Sequence, residues 1–500
     1  MRKRSISFML VLLMMLLPAC SESDVNNESE KPEETVSQPG ETAAETEPEI
    51  DELAAFHAAP EGDFEGHIFR TAAHDVHWII HDQITAEEEN GEVLNDAFYA
   101  RQIAVEDKLN IGFESQFGVD AYNYILQQVR AQTDDFDAVW VDTVPAFTLA
   151  KEGMSYDLST IEAIDFDADY WAPAYNELVN IGSKRYAVYG DIHLGYHSAH
   201  FVVAYNKDIL EQYPDIKSPY DLVKEDKWTW DALNEMSVSV YRDIDGNGES
   251  TLAKDQFGMT MHQNQLVYFQ MSSGVQLLDK DEKGMPYWNG VSEKFVDGFN
   301  RVGEILTKGN HNVVESITPG YSAYASSVSS SGLEGYTHIF SEGRALFNIN
   351  AIGTYEYYRE SDIDYGLVYF PKYEETQDRY YPVLYGHFHT LVAPSNMSDP
   401  ERTGVILENL CAYSSTTLKK SFIESVVYYK YARDAQTVEI LEDLFSLGSY
   451  SDVAFIHNWG GVSGVVETLH SSGRASIASV MQSISKKITS QLEDALEYLQ

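Results

Sequence analysis

The run DAVWV, residues 137–141, is short, rich in β-branched and aromatic side chains, and followed at once by Asp142. Such a run reads as a buried strand. HFVVAYN (200–206), ALFNI (345–349), YGLVYFP (365–371) and TLVAP (390–394) have the same character. Helix-periodic segments lie around them. Leu94, Ala97, Phe98, Val105 and Leu109 fall on one helical face, as do Tyr122, Ile125, Leu126 and Val129, and Ile477, Val480, Met481, Ile484, Ile488, Leu492, Ala495 and Leu499 repeat the pattern. Strands alternating with helices predict an α/β architecture with helices on both faces of a sheet. The stretch is longer than one core usually occupies, so two lobes are expected.

The chain opens MRKRSISFMLVLLMMLLPACSES, a basic start and an apolar run before a cysteine. That is the grammar of a secretory signal, and about a dozen apolar residues fall short of the roughly 20 that span a bilayer. Leu17-Pro18-Ala19-Cys20 resembles the lipobox of bacterial lipoproteins, departing from it at Pro18. The resemblance implies a signal peptide over residues 1–19 and lipidation of Cys20, anchoring the protein to the outer face of the cell membrane. Residues 20–65 crowd Glu, Asp, Ser, Thr and Pro around a single lysine, Lys31, and read as a disordered acidic tether. The net charge of −45 argues against nucleic acid and anionic lipid as partners. With Cys20 committed to lipid, Cys411 has no disulfide partner and is expected to be a small buried hydrophobe.

A series of phrases then resembles a known family. In order they are GEVLNDAFYARQIAVEDKLNI (91–111), FDAVWVDTVPAFTLAKEGMSYDLST (136–160), VVAYNKDILEQY (202–213), KWTWDALNEMS (227–237), FSEGRALFNINAIGTYEYYR (340–359), YGLVYFPKYEETQDRYYP (365–382) and LVAPSNMSDPERTGVILENLCAYSS (391–415). Together they resemble the extracellular solute-binding proteins of ABC importers, in particular family 1 with its oligosaccharide-binding lipoproteins. The resemblance implies a two-lobed, type II periplasmic-binding-protein-like α/β fold, each lobe a mixed sheet flanked by helices, closing on its ligand by hinge motion. On that basis lobe one is expected at 66–200 with a return at 345–398. Lobe two is expected at 201–344 and, with the C-terminal helices, at 399–500. It also implies a monomer that catalyses nothing and passes a carbohydrate to permease subunits.

Residues 243–258 read DIDGNGESTLAKDQFG. Against a calcium loop of the EF-hand kind, Asp243, Asp245 and Asn247 take positions one, three and five, and Glu249 offers its carbonyl at seven. Position twelve is Lys254, and the acid arrives one residue late as Asp255. A structural calcium is expected here, with a solvated Asp/Gly turn as the alternative.

Sugar sites stack aromatic rings on C–H faces and aim carboxylates and amides at hydroxyls. His74 and Asp75 after the first strand, Trp140 and Asp142 after DAVWV, Tyr196 at the crossing between lobes and Trp459 in FIHNWGG are the candidate ligand contacts, core packing being the alternative for each aromatic. His74, His77 and His81 have helical spacing, His193, His197 and His200 cluster, and His387 and His389 alternate. These read as solvated faces before they read as a metal site. A secreted polysaccharide hydrolase and a metal or peptide importer are the rival readings.

Overall fold

The structure is a computed structural model that describes residues 51–74, 83–307, 311–331, 333–358, 361–384, 388–447, 452–472 and 477–499. Cys20, the signal segment, most of the tether, Asp75, His77, His81 and His387 lie outside the described residues. Twelve strands occur among the described residues: β1 (His67–Ala73), β2 (Ile111–Phe117), β3 (Ala138–Asp142), β4 (His200–Asn206), β5 (Phe257–Met261), β6 (Leu278–Lys280), β7 (Pro286–Trp288), β8 (Val313–Glu315), β9 (Ala345–Ala351), β10 (Tyr365–Tyr369), β11 (Val383–Leu384) and β12 (His389–Val392). The first sheet has the order β12-β3-β1-β2, with β1 parallel to β2 and β3, and β12 antiparallel to β3. The second runs β10-β4-β9-β5-β8, with β11 also paired to β4. β6 and β7 form a separate hairpin.

Side chains of a strand alternate between faces, and β3 uses both. Ala138 and Trp140 enter one core with Phe69, Val105 and Leu109, while Val139 and Val141 enter another with Ile125, Phe147 and Leu149. Helices must therefore cover both faces. On the first lie α2 (Val93–Leu109) and the helix Pro400–Thr416, and on the second α3 (Ala121–Ala131) and α4 (Thr143–Lys151). Glu92 caps α2 through the Leu94 and Asn95 N–H groups, Asn110 ends it in the left-handed region, and Asp120 caps α3 through Asn123 N–H.

Among the described residues the chain crosses between the sheets three times. It passes through α6 (Gly195–Ser198) into β4, returns from β11 to β12, and leaves again after the helix Pro400–Thr416, so that Phe422, Val426, Val427 and Tyr431 pack in the second core. Arg101 of α2 holds this region together from inside. Its buried guanidinium donates to Ile192 O, Ser414 Oγ and Ile84 O, and burial pushes its pKa down to about 9.

Three expected boundaries are corrected. Residues 345–369 do not return to the first sheet, because β9 is a fully buried strand hydrogen-bonded to β4 and β5 on either side, and β10 is bonded to β4. The return begins only at β12. Within 399–500, the helix Pro400–Thr416 covers the first sheet, since Ile406, Leu407, Leu410 and Cys411 share a core with Phe69 and Trp140. Finally, the folded part begins before residue 66. Phe56 of α1 (Ala54–Ala58) is buried edge-on to Tyr413 at 5.0 Å, Lys108 Nζ donates to Phe56 O and Ala59 O, and Phe64 N–H donates to Leu109 O. Leu53, Phe56, Ala59 and Phe64 supply the apolar contacts that the acidic composition of this stretch conceals.

Among the described residues no helix is long and apolar enough to cross a membrane. Gly258 in β5 lies against the helix Trp230–Val240, where a Cβ would sit 2.2 Å from Ser237 O. Gly258→Ala is expected to lower stability by about 1–3 kcal/mol through overpacking, read as an earlier urea midpoint at an unchanged m-value.

Candidate functional site

In open α/β sheets, ligands settle beyond the carboxyl ends of parallel strands, where loops and helix starts present backbone and polar side chains. In the first sheet that edge carries His74 after β1 and Asp142 at the end of β3, and the antiparallel β12 places His389 opposite Asp142. His74 N–H donates to Trp140 O at 3.0 Å, and Thr143 Oγ1 bridges Phe388 O and Thr390 Oγ1. Gly195 N–H donates to His193 Nδ1, which leaves the proton of a neutral His193 on Nε2 to donate to His389 Nδ1 at 3.1 Å. Burial holds His389 well below the ordinary histidine range.

The second sheet presents His262 and Gln263 after β5, Glu315 at the end of β8, and Asn350 near the end of β9. His262 Nδ1 accepts from Asn264 N–H, and burial lowers its pKa despite Glu334 and Glu315. Asn350 accepts from Thr354 Oγ1 and donates to Thr337 Oγ1. Gln263 Oε1 and Asn264 Oδ1 are buried acceptors with no hydrogen bond among the described residues. The two edges meet at α6. Gly195 packs on His193 and His389, and at its other end Ser198 packs against Gly353, just past β9.

Of the expected contacts, His74 and Asp142 stand on this edge. Trp140 does not: only 2 % exposed, it is packed in the core with Phe69 and Trp171, because it lies two residues short of the end of β3 on a face that helices cover. Tyr196, 8 % exposed, is likewise corrected to a packing residue, stacked on Tyr189 at 4.3 Å with Tyr175 and Phe388 around it. His193, His197 and His200 are buried rather than solvated. His197 Nε2–H donates to Asp191, whose other oxygen pairs with Lys419. Among the described residues no histidine joins a group of three converging metal-ligand atoms. His262, Gln263, Glu315 and Asn350 escaped the sequence reading. The FGMTM run just before His262 and Gln263, and the VVE run that ends in Glu315, are the signal that could have found three of them.

Trp459 lies elsewhere. With Lys151, His457, Asn458, Gln491, Asp494 and Ala495 it lines a cavity of about 310 Å³. Lys151 closes α4 eight residues after Thr143, about 12 Å along the helix from the strand edge.

Near this cavity the two halves are fastened at the carboxyl end of α5 (Pro173–Val179). His457 Nε2–H donates to Val179 O at 2.8 Å, Lys280 Nζ to Glu177 O and Asn180 O, and Gly182 N–H to Gly284 O. Asp452 caps the helix Val453–His457 through Ala454 N–H and binds Leu277 N–H beside β6. Its burial, opposed by those N–H groups, pushes the carboxyl up to about 7.

In the acidic loop, carboxylate oxygens of Asp243, Asp245 and Asp255 lie within 4.8 Å of one another, so the acid that arrives one residue late does reach the group. Asp243 accepts from Gly246 and Gly248 N–H, and buried Asp255 from Ile244 and Thr251 N–H. Asn247 Oδ1 accepts from Glu249 N–H, while the Glu249 side chain is exposed. An all-oxygen donor set of this kind fits a hard cation.

A family model described as bacterial extracellular solute-binding protein matches residues 106–417. No curated protein sequence matches the chain. Among solved structures, the maltose/maltodextrin-binding domain MalE from Bdellovibrio bacteriovorus, bound to maltotriose, is similar with a TM-score of 0.52 at 13 % identity, over 86 % of this chain and 100 % of that one. The ABC substrate-binding protein Lmo0181 from Listeria monocytogenes, in complex with cycloalternan, gives 0.54 at 11 % over 86 % and 99 %. Maltose-bound MalE3 from T. maritima gives 0.52 at 16 % over 85 % and 99 %. Likeness at these identities establishes the fold, a mixed α/β, two-domain arrangement of the maltose-binding-protein kind.

The Asp452 carboxyl takes up its proton more readily in the fold than at its ordinary 3.8, so its contribution to stability is fully present below about pH 4 and is lost as pH rises through about 7. The buried His457 and His200, lowered to about 3 and about 4, act in the opposite sense below pH 6.5, so only a difference between variants isolates Asp452. Asp452→Asn is expected to exceed the parent by about 1–3 kcal/mol at pH 8, with the gap narrowing as pH falls below about 7 and closing only near pH 4, in paired denaturation curves.

Proposed function

This chain belongs to the bacterial extracellular solute-binding protein family, and on that premise we propose that it captures a carbohydrate, an oligosaccharide, and delivers it unaltered to the permease subunits of an ABC transporter. The observation that carries the reading is the composition of the two strand edges. Gln263 and Asn264 offer buried acceptors, Asn350 offers an amide, and His262 and His389 are held neutral by burial. Sugar hydroxyls both donate and accept, and such uncharged groups suit them better than a field of fixed charge does. His74 and Asp142 contribute from the first sheet in this reading. Relatives of the same fold bound to maltotriose and cycloalternan support the solute class.

Closure follows from population shift: a solute touching both edges binds the closed arrangement better and draws the equilibrium toward it. Cys20 carries the lipid anchor and the acidic tether holds the binding domain off the membrane. Asp243, Asp245 and Asp255, with the carbonyl of Glu249, hold a structural calcium that pins the loop between the helix Trp230–Val240 and β5.

A thermal-shift panel of linear and cyclic glucans tests the carbohydrate reading. A true ligand at 100 times its Kd stabilises by about 2.7 kcal/mol, and Gln263→Ala or Asp142→Ala is expected to weaken binding at least tenfold, roughly 1.4 kcal/mol. No stabilisation by any glycan, or the appearance of new reducing ends, would contradict it. A chelator is expected to lower the melting temperature while leaving sugar affinity unchanged. An unaltered melting curve after chelation would remove the calcium.

A further inference from the structure

The chain holds three Asn-Gly pairs, Asn90–Gly91, Asn247–Gly248 and Asn289–Gly290. In such a pair the glycine nitrogen can attack the asparagine side-chain carbonyl and close a five-membered imide, because the glycine has no Cβ to stand in the way. All three asparagines are exposed. What separates them is how each side chain is held.

Asn247 is held in a way that suits the reaction. Its Oδ1 accepts from Glu249 N–H at 2.6 Å, a turn that folds the side chain back over the Gly248 peptide and draws electron density away from Cγ. Gly248 N–H, the attacking group, donates to Asp243 Oδ2 at 2.8 Å. The leaving nitrogen, Nδ2, donates to Thr251 Oγ1 at 2.8 Å. Asn90 shares the first two features, its Oδ1 accepting from Glu92 N–H at 2.9 Å while Gly91 N–H donates to the Asp96 carboxylate. Among the described residues the Asn289 side chain makes no hydrogen bond, and only its backbone N–H is engaged, with Leu277 O.

We propose that Asn247–Gly248 is a deamidation site, open when the acidic loop is empty and shut when a cation occupies it. A bond forms between Gly248 N and Asn247 Cγ, and the Cγ–Nδ2 bond breaks. The Gly248 proton passes by way of Asp243 to the departing nitrogen, which leaves as ammonia. Water then cleaves one or the other C–N bond of the imide. The product is aspartate at 247, or the isomer whose backbone runs through the former side chain.

The protection rests on the calcium reading above. Asn247 stands at position five of the loop, beside the carboxylates of Asp243, Asp245 and Asp255, and a side chain fixed on an ion cannot swing its Cγ onto the Gly248 nitrogen. The products alter the same loop. Aspartate adds a fourth carboxylate to three that already lie within 4.8 Å of one another, and the isomer lengthens the backbone and displaces it.

The test is timed incubation of the full chain near neutral pH in calcium chloride or in chelator, followed by peptide mass spectrometry and enzymatic methyl labelling of isoaspartate. In chelator the Asn247 peptide is expected to convert at least about tenfold faster than the Asn289 peptide, and calcium is expected to slow it by a similar factor while leaving the Asn90 peptide unaffected. Conversion at Asn247 no faster than at Asn289 in chelator would overturn the proposal. So would equal rates with and without calcium. If the melting curve of that sample still responds to chelator, the loop binds its ion and the proposal alone fails; if it does not, the calcium reading falls with it.

Discussion

The antiparallel pairing of β12 with β3 is the contact on which the rest of the molecule depends. It places Thr390 Oγ1 2.9 Å from Thr143 Oγ1, across 247 residues of chain, and sets His389 opposite Asp142. Everything between those strands that belongs to the second sheet is thereby enclosed between an outward and a return passage. The helix Pro400–Thr416 then has to leave the first sheet again, giving a third crossing. A pair of sheets joined by such short passages can move relative to one another with little internal change, the mechanical requirement for hinge closure.

The same topology explains why polar groups are buried where the halves meet. The residues of α6 are buried, so Asp191, His197 and Lys419 satisfy one another, and His193 Nε2–H donates a hydrogen bond to His389 Nδ1. Arg101 joins the crossing segment to the helix Pro400–Thr416 through carbonyl and hydroxyl oxygens alone. Such directional bonds allow few alternative arrangements, although the buried Arg101 Nε has no hydrogen-bond partner among the described residues. At α5, carbonyls at the helix end are capped by Lys280 and His457 from the other half, an interaction favoured by the helix dipole in the case of the lysine. The junction is thus set by directional bonds as much as by apolar contact.

Much of this was legible in the residues, and the failures have physical causes. β3, β4, β9, β10 and β12 were readable because each is a run of β-branched and aromatic side chains. A run of that kind says strand and not which sheet, and so ALFNI was placed on the wrong side of the crossing. β5, FGMTM, carries a glycine and two methionines in place of β-branched residues, and β8 has only three residues, so neither stood out, and with them went His262, Gln263 and Glu315. Trp140 misled because both faces of its sheet are covered, so alternation could not separate an inward ring from one at the edge. Phe56 and its neighbours were hidden in an acidic stretch whose overall composition resembled the tether. The order of the family phrases, by contrast, was read correctly because it depends on the chain as a whole, as the match over residues 106–417 attests.

The central claim is mechanical: a solute held between two strand edges draws the halves together. Small-angle scattering of the tetherless protein, with and without a glycan first shown to bind, tests it most directly. The account requires the radius of gyration to fall on saturation, with a tighter distance distribution and no change in mass. Identical curves for the free and saturated protein would contradict it.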